Sequence, residues 1–381
     1  MIPLAIPNLS GNEEKYLIEC IRTNFVSSVG PFVDRFENMV AARSQSSLGV
    51  STSSGTTAIQ LALTTLGVQR DDLVITPSFT FIATANAISH TGATPWLIDV
   101  SPESWTLCPQ KLEEALSAEA VFASGKLVHK KSGRRISCIL PVYTLGLCAD
   151  MDPICAIAKK YDLPVVADAA AALGATYKGK EIGGLATLST LSFNGNKTIT
   201  TGSGGMVIGN DKDLLARAKH LATTARVGAD YVHDAVGFNF RMCNIEAALG
   251  CAQMEQFDFF LERKRQIDRN YREGFRSLGG VEMFPSPTWS QSACWFPGVL
   301  LNSEMDTRVV CQKLVAEGVA ARTFWRPTHL QAPYAEAPRT DMNVSDRIWS
   351  QILTLPCSTG MTSDEQNFVI DRVKFVLKEL S

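Results

Sequence analysis

The sequence predicts an α/β protein, with a mostly parallel central sheet covered by helices and a smaller C-terminal α/β domain. Three observations predict it. Short β-branched runs alternate with helical stretches through the first two thirds of the chain, turn residues separate them, and the alternation resumes beyond about residue 281 after a long charged helix. Strands alternating with helices of roughly 10 to 15 residues indicate βαβ units, whose crossovers cover both faces of a parallel sheet.

The elements follow in order. "NEEKYLIECIRTN" reads as an amphipathic helix with Tyr16, Leu17, Cys20 and Ile21 on one face. "VGPFVDRFENMVAARS" begins a second helix near Pro31, a residue suited to the first helical turn. Then come strand and helix pairs: "SLGVSTS" before "GTTAIQLALTTLG", "LVITPS" before "FIATANAISHTG", "TPWLIDV" before "PQKLEEALS" and "ISCILPVY" before "MDPICAIAKKYD". "PVVADAA" and "LSTLSF" add two more strands. "KDLLARAKHLATTAR" and the segment from "NIEAALG" to "REGFRSLG" read as helices, and strands such as "WFPGVLL" alternate with helices such as "TRVVCQKLVAEG" to the end. We expect a large domain over residues 1–255, including the N-terminal segment, and a small one over 256–381. Their boundary is read as running through a continuous helix, with no flexible tether.

Composition narrows the function. The 381 residues exceed what one core usually holds, roughly 250 to 300. A hydrophobic share of 45% with 19% charged residues is ordinary for a globular protein. With 36 Lys and Arg against 38 Asp and Glu, nothing favours nucleic acid or an anionic membrane as partner. Ten cysteines are scattered without metal-ligand spacing, so no metal site is expected. The N-terminus has no basic and apolar leader, and a cytoplasmic location is expected. No GxGxxG follows the first strand, which sets aside a nicotinamide dehydrogenase.

Ligands in open α/β sheets sit at the carboxyl ends of strands, and three candidate groups fall there. "STSSGTTA" ends a strand and opens a helix, so the amides of Gly55 and Thr56 can face an anion, although Ser and Gly before a helix also make a plain N-cap. Asp168 ends "LPVVAD", where a buried acid needs a cation or serves as a helix cap. Lys197 lies just past "LSTLSF", where a loop lysine is ordinarily a solvated charge. Together, an anion cradle, a buried acid and an amine are what pyridoxal 5′-phosphate requires for its phosphate, its pyridinium nitrogen and its aldehyde.

"SSGTTAI", "PSFTFIATANAI", "ADAAAALGA", "SFNGNKTITTGSGGM", "GFNFRMCNIEAALG" and "RTFWRPTHLQ" resemble the DegT/StrS sugar-nucleotide aminotransferases, which have the pyridoxal phosphate-dependent fold type I. The resemblance implies that Lys197 bonds the cofactor aldehyde and Asp168 pairs with its ring nitrogen. It also implies that Gly55, Thr56 and Ser192 hold the phosphate and that Phe81 stacks on the ring. Asn239 would reach the cofactor of a neighbouring subunit, implying a homodimer with shared active sites, while Arg241 would be structural. Ser28, Asn194, Trp325 and His329 are the substrate-side candidates; His329 is also readable as an ordinary partly buried histidine.

The implied reaction carries an amino group from glutamate to a keto group of a nucleotide-linked hexose. The lysine loop is similar to that of the subgroup aminating C4 of UDP-linked 4-keto-6-deoxy-N-acetylhexosamines, in bacterial surface-polysaccharide or other glycan biosynthesis. The alternatives are C3 amination of a dTDP-linked keto sugar and a regulatory relative that binds the cofactor without turnover. Three residues depart from the family pattern: Ala171 stands for a Gln, Glu or His, Tyr143 for a histidine and Ser203 for a common glutamate.

Overall fold

The computed structural model describes residues 1–380. Each β-branched run forms a strand: β1 (Leu48–Thr52), β2 (Leu73–Pro77), β3 (Thr94–Ile98), β4 (Ile136–Ile139), β5 (Val166–Asp168) and β6 (Leu188–Ser192). A further strand, β7 (Gly205–Gly209), returns from the lysine-bearing loop. Their order is β3-β2-β4 and β5-β6-β7-β1, and single parallel bridges Ile139 to Val165 and Val142 to Asp168 join the two groups. Only β7 runs against its neighbours, pairing antiparallel with both β1 and β6. The connection from β6 to β7 carries no helix, so the chain cannot cross over to continue in parallel.

The period-2 alternation of the strands supplies two cores. Leu73 and Ile75 of β2, with Met206 and Ile208 of β7, enter one apolar cluster; Val74, Val207 and Val50 enter the cluster on the opposite face. The first face is covered by α2 (Pro31–Ser44) through Phe36 and Val40, the second by α3 (Gly55–Thr65) through Ile59 and Leu63. Each such fully buried aliphatic or aromatic side chain stabilises by about 1.5 to 3 kcal/mol.

Helix α1 (Glu13–Arg22) forms as expected, but with a narrower buried face. Tyr16 and Cys20 are buried, whereas Ile21 is 67% exposed, because one residue beyond Cys20 is a turn of about 100° away from the core. The stretch from "NIEAALG" to "REGFRSLG" forms two helices. One helix, Asn244–Glu255, ends at Gln256, which takes φ −104° and ψ 2°, and a second, α4 (Phe257–Phe275), starts at once. The helices on both sides of the break pack into the first core, through Cys251 and Met254 before it and Phe257 and Phe260 after it, while Ile267, Tyr271 and Phe275 further along α4 join a separate C-terminal core.

That C-terminal core backs an antiparallel sheet of Val281–Met283, Gly298–Leu301, Ile352–Thr354 and Arg322–Thr323, in that order. The first residues of the chain dock here. Ile2 bridges Val319, and the carbonyl of Leu4 accepts the Cys357 N–H at 2.8 Å. All ten cysteines are free thiols. Among the described residues, no helix is long and apolar enough to cross a membrane.

Candidate active site

A cavity of about 400 Å³ opens at the carboxyl ends of β5 and β6, between the main sheet and the C-terminal unit. Its acid is Asp168. β5 is buried throughout, and backbone bonds fix its end: the Asp168 N–H donates to the Pro141 carbonyl at 2.9 Å, and the Tyr143 N–H donates to the Asp168 carbonyl at 2.9 Å. The carboxylate accepts from Thr84 Oγ1 at 2.7 Å and from the Ala170 N–H at 3.1 Å. Burial pushes its pKa up; the Thr84 and Ala170 hydrogen bonds and the Lys197 charge pull the other way. No helix follows Asp168, so it is not a helix cap.

Lys197 is held by its own loop. Its N–H donates to the Asn194 carbonyl at 2.9 Å, and the Thr201 N–H closes the loop on the Phe193 carbonyl at 2.9 Å. The Trp295 indole N–H donates to the Asn196 carbonyl at 2.8 Å, and its ring centroid lies 3.5 Å from Lys197 Nζ. Burial brings the Lys197 pKa down to about 7, with Lys264 adding repulsion and Asp168 opposing it. An amine with that pKa is about half uncharged at pH 7, whereas a surface lysine is almost wholly protonated there; a nucleophile needs the uncharged form.

The third group is the start of α3. Ser54 caps the helix by accepting the Thr57 N–H at 3.1 Å, while Thr57 Oγ1 accepts the Ser54 N–H at 3.0 Å. Gly55 and Thr56 keep amides that have no intrahelical acceptor, at the positive end of the helix dipole. A Cβ on Gly55 would stand 2.8 Å from the Ser192 Cβ, so the glycine lets the end of β6 close against the helix start. Ser203 donates to the Ser53 carbonyl at 2.8 Å and pins the end of the lysine loop to the same turn. That gives the Ser203 departure a structural use.

Ser192, Asn194, Phe81 and Trp325 also line the cavity. Phe81 is 54% exposed, an unusual setting for a large apolar ring, and its centroid lies 6.2 Å from that of Trp325. Tyr143 and Ala171, two of the departures, line it as well, and the buried Tyr143 hydroxyl has no hydrogen-bond partner among the described residues. Three expected residues lie outside. Ser28 sits on the loop before α2, and Asn239 is exposed with its side-chain oxygen 3.4 Å from both Nε and Nη2 of Arg241. His329 is buried, its Nδ1 paired with Ser78 Oγ at 2.7 Å and its Nε2 with Asp346 at 3.0 Å, and burial lowers its pKa.

The structure adds cavity residues that the sequence reading missed, chiefly Thr84, Asn196, Trp295 and Arg322. Thr84 carried a signal, lying one helical turn past Thr80 in the "PSFTFIATA" motif, and the two hydroxyls are 2.8 Å apart. Trp295 and Arg322 carried none, since they arrive from the C-terminal unit.

The residues fit a phosphorylated aromatic aldehyde with a basic ring nitrogen. Helix-start amides meet the phosphate. A buried carboxylate without a cationic hydrogen-bond partner meets the ring nitrogen, and an amine of lowered pKa meets the aldehyde. Comparison with known proteins agrees. Residues 7–374 match the family described as DegT/DnrJ/EryC1/StrS aminotransferase family. The chain is 36% identical to the GDP-perosamine synthase of Caulobacter vibrioides, covering 100% of this chain and 98% of that one. It is 34% identical to the GDP-perosamine synthase of Escherichia coli O157:H7, covering 98% and 97%. The crystal structure of the aminotransferase TlmJ from Streptoalloteichus hindustanus superposes with a TM-score of 0.89 at 25% identity, covering 100% of both chains. By fold, by site and over nearly its whole length, the chain belongs to the DegT/DnrJ/EryC1/StrS aminotransferase family, enzymes of sugar biosynthesis that use pyridoxal 5′-phosphate.

Proposed function

We propose that this enzyme moves an amino group from glutamate to the 4-keto group of a nucleotide-linked 4-keto-6-deoxyhexose, in bacterial surface-polysaccharide or other glycan biosynthesis. The observation that carries the catalytic reading is the Lys197 amine, brought to a pKa of about 7 at the mouth of an aromatic-walled cavity that also holds Asp168. When bound, pyridoxal phosphate supplies an aldehyde carbon and an electron-withdrawing ring. Lys197 Nζ is the nucleophile toward that carbon, and it accepts and returns the proton at the amino-bearing carbon. The Asp168 carboxylate keeps the ring nitrogen protonated. The amides of Gly55 and Thr56 and the Ser192 hydroxyl hold the phosphate, and Phe81 covers the ring face. Asn194 and Trp325 border the sugar. His329 has no place in this set: its ring links Ser78 to Asp346 and steadies the loop after Trp325.

Asn239 and Ser28 belong to the proposal through a second copy of the chain. The hairpin Arg226–His233 and the residues after it expose Tyr231 at 77% and Val236 at 90%, apolar surface that a partner would cover. A homodimer would bring Asn239 to the neighbouring cavity. On the nucleotide, the lysine loop favours UDP, whereas both relatives named above are GDP-sugar enzymes; we place GDP first. The test is a panel of GDP-, UDP- and dTDP-linked keto sugars incubated with ¹⁵N-glutamate. Label in a 4-amino sugar on GDP is the expected result, label on UDP corrects the nucleotide alone, and label at C3 or in no sugar overturns the proposal.

A further inference from the structure

Lys264 is a lysine that the reaction above does not use. It lies on α4, is only 3% exposed, and forms no ion pair among the described residues. Its ammonium donates instead to the Trp295 carbonyl at 3.1 Å and meets Cys357 Sγ at 3.2 Å. The Phe296 ring, its centroid 5.9 Å from Nζ, adds a weak cation–π contact, yet a buried cation without a carboxylate is costly, so a fold that keeps one has a use for it or a compensation. The surroundings point to a use. The residue whose carbonyl anchors Lys264 is the one whose ring lies 3.5 Å from Lys197 Nζ. Lys264 and Lys197 also line one small cavity of about 10 Å³, together with Asn196, whose buried Oδ1 has no partner among the described residues.

We propose that Lys264 is a positioning residue for Lys197: a fixed buried cation that holds Trp295 against the reactive amine and repels the proton that amine would otherwise keep. Burial is the main cause of the lowered Lys197 pKa, and Lys264 adds to it against the other charges and dipoles around the amine. Asp168, at the end of β5, attracts a proton to the amine, and the Trp295 ring face also favours the ammonium form. The Tyr143 hydroxyl, on the loop after β4, lines the same cavity and is held in its neutral form by burial. Arg322 lines the cavity from the C-terminal sheet, and Glu13 stands behind Gln253, which it accepts from at 2.6 Å. Burial and Lys264 are what lower the Lys197 pKa against Asp168. Lys264 therefore supplies repulsion that keeps the nucleophile ready while the acid stays in place for the ring nitrogen. The arrangement also couples the two parts of the molecule, because α4 and Trp295 carry the charge from the C-terminal side to a lysine on the main sheet.

The inference rests on Lys197 being the reactive amine and not on which sugar is accepted. Its test is competitive trace acetylation of the cofactor-free protein between about pH 5 and 10, with Lys197 acetylation read by mass spectrometry of its peptide. The wild-type reactivity midpoint is expected at about 7. Lys264→Met should move it up, because the like charge that disfavours the protonated amine is gone, while Lys264→Arg should leave it in place. A midpoint unchanged in Lys264→Met, or moved equally by Lys264→Arg, overturns the inference. Should Lys264→Met fail to fold, Lys264→Gln removes the charge while keeping a donor for the Trp295 carbonyl, and carries the same expectation. Failure of the Lys197 reading looks different: Lys197→Ala would still bind the cofactor covalently, whatever the acetylation midpoints.

Discussion

A loop lysine in water keeps its proton far above neutral pH; in this chain burial brings Lys197 down to about 7. Lys197→Ala should cut amino transfer from glutamate by about a thousandfold or more, with an unchanged circular dichroism spectrum. The same shift has a stability signature. Between about pH 7 and 10 the unfolded chain holds a proton on Lys197 that the cofactor-free folded protein has released. Stability from this group therefore grows as pH rises through that window and is lost as pH falls back to about 7. The melting-temperature difference between wild type and Lys197→Ala, both free of cofactor, should rise from pH 7 to pH 9.5; a flat difference would contradict the shift. At Asp168, Thr84→Val keeps the shape and removes the hydroxyl donor, so it should destabilise by about 1.5 to 3 kcal/mol in urea unfolding and drive the acid's pKa further up.

Helix starts and strand ends do the positioning. Gly55 begins α3 where the end of β6 packs closest, and any Cβ there meets Ser192. Gly55→Ala should therefore raise the cofactor's Kd at least about tenfold, measured by fluorescence titration, and lower the stability of the cofactor-free protein by about 1 to 3 kcal/mol, the cost of overpacking. The lysine loop is tied at both ends, by Trp295 to Asn196 and by Ser203 to the Ser53 carbonyl. These ties explain how a segment rich in glycine and threonine can hold a reactive amine in one place.

In the whole molecule, the cavity lies between the main sheet and the C-terminal unit, and the proposed dimer would complete it. Lys197 and Asn239 of one chain are then expected in different sites. Neither Lys197→Ala nor Asn239→Ala should be fully active alone. Unfolding and refolding the two variants together should recover about a quarter of wild-type sites, because half of the random dimers pair the two variants and each mixed dimer has one intact site. No recovery, together with a monomeric mass by ultracentrifugation, would overturn the shared-site arrangement.

Much of this was legible in the sequence, for local reasons. The β-branched runs, the Ser-Gly turn before α3 and the loop around Lys197 each depend on neighbouring residues, and they placed Asp168, Gly55 and Lys197 at strand ends. Local pattern misplaced Ile21, whose apolar side chain looks outward, and read through Gln256, where the backbone leaves helical geometry between two helices. For His329, paired with Ser78 and Asp346, the contacts match its other reading, an ordinary buried histidine. By itself the sequence determined the strand and helix order and the acid, amine and anion cradle of the site. Only the tertiary structure decided that Trp295 and Lys264 reach Lys197 and that Thr84 holds Asp168. Those contacts join residues far apart along the chain, and it is the exclusion of water at their meeting point, not their order in sequence, that sets the charge on the amine.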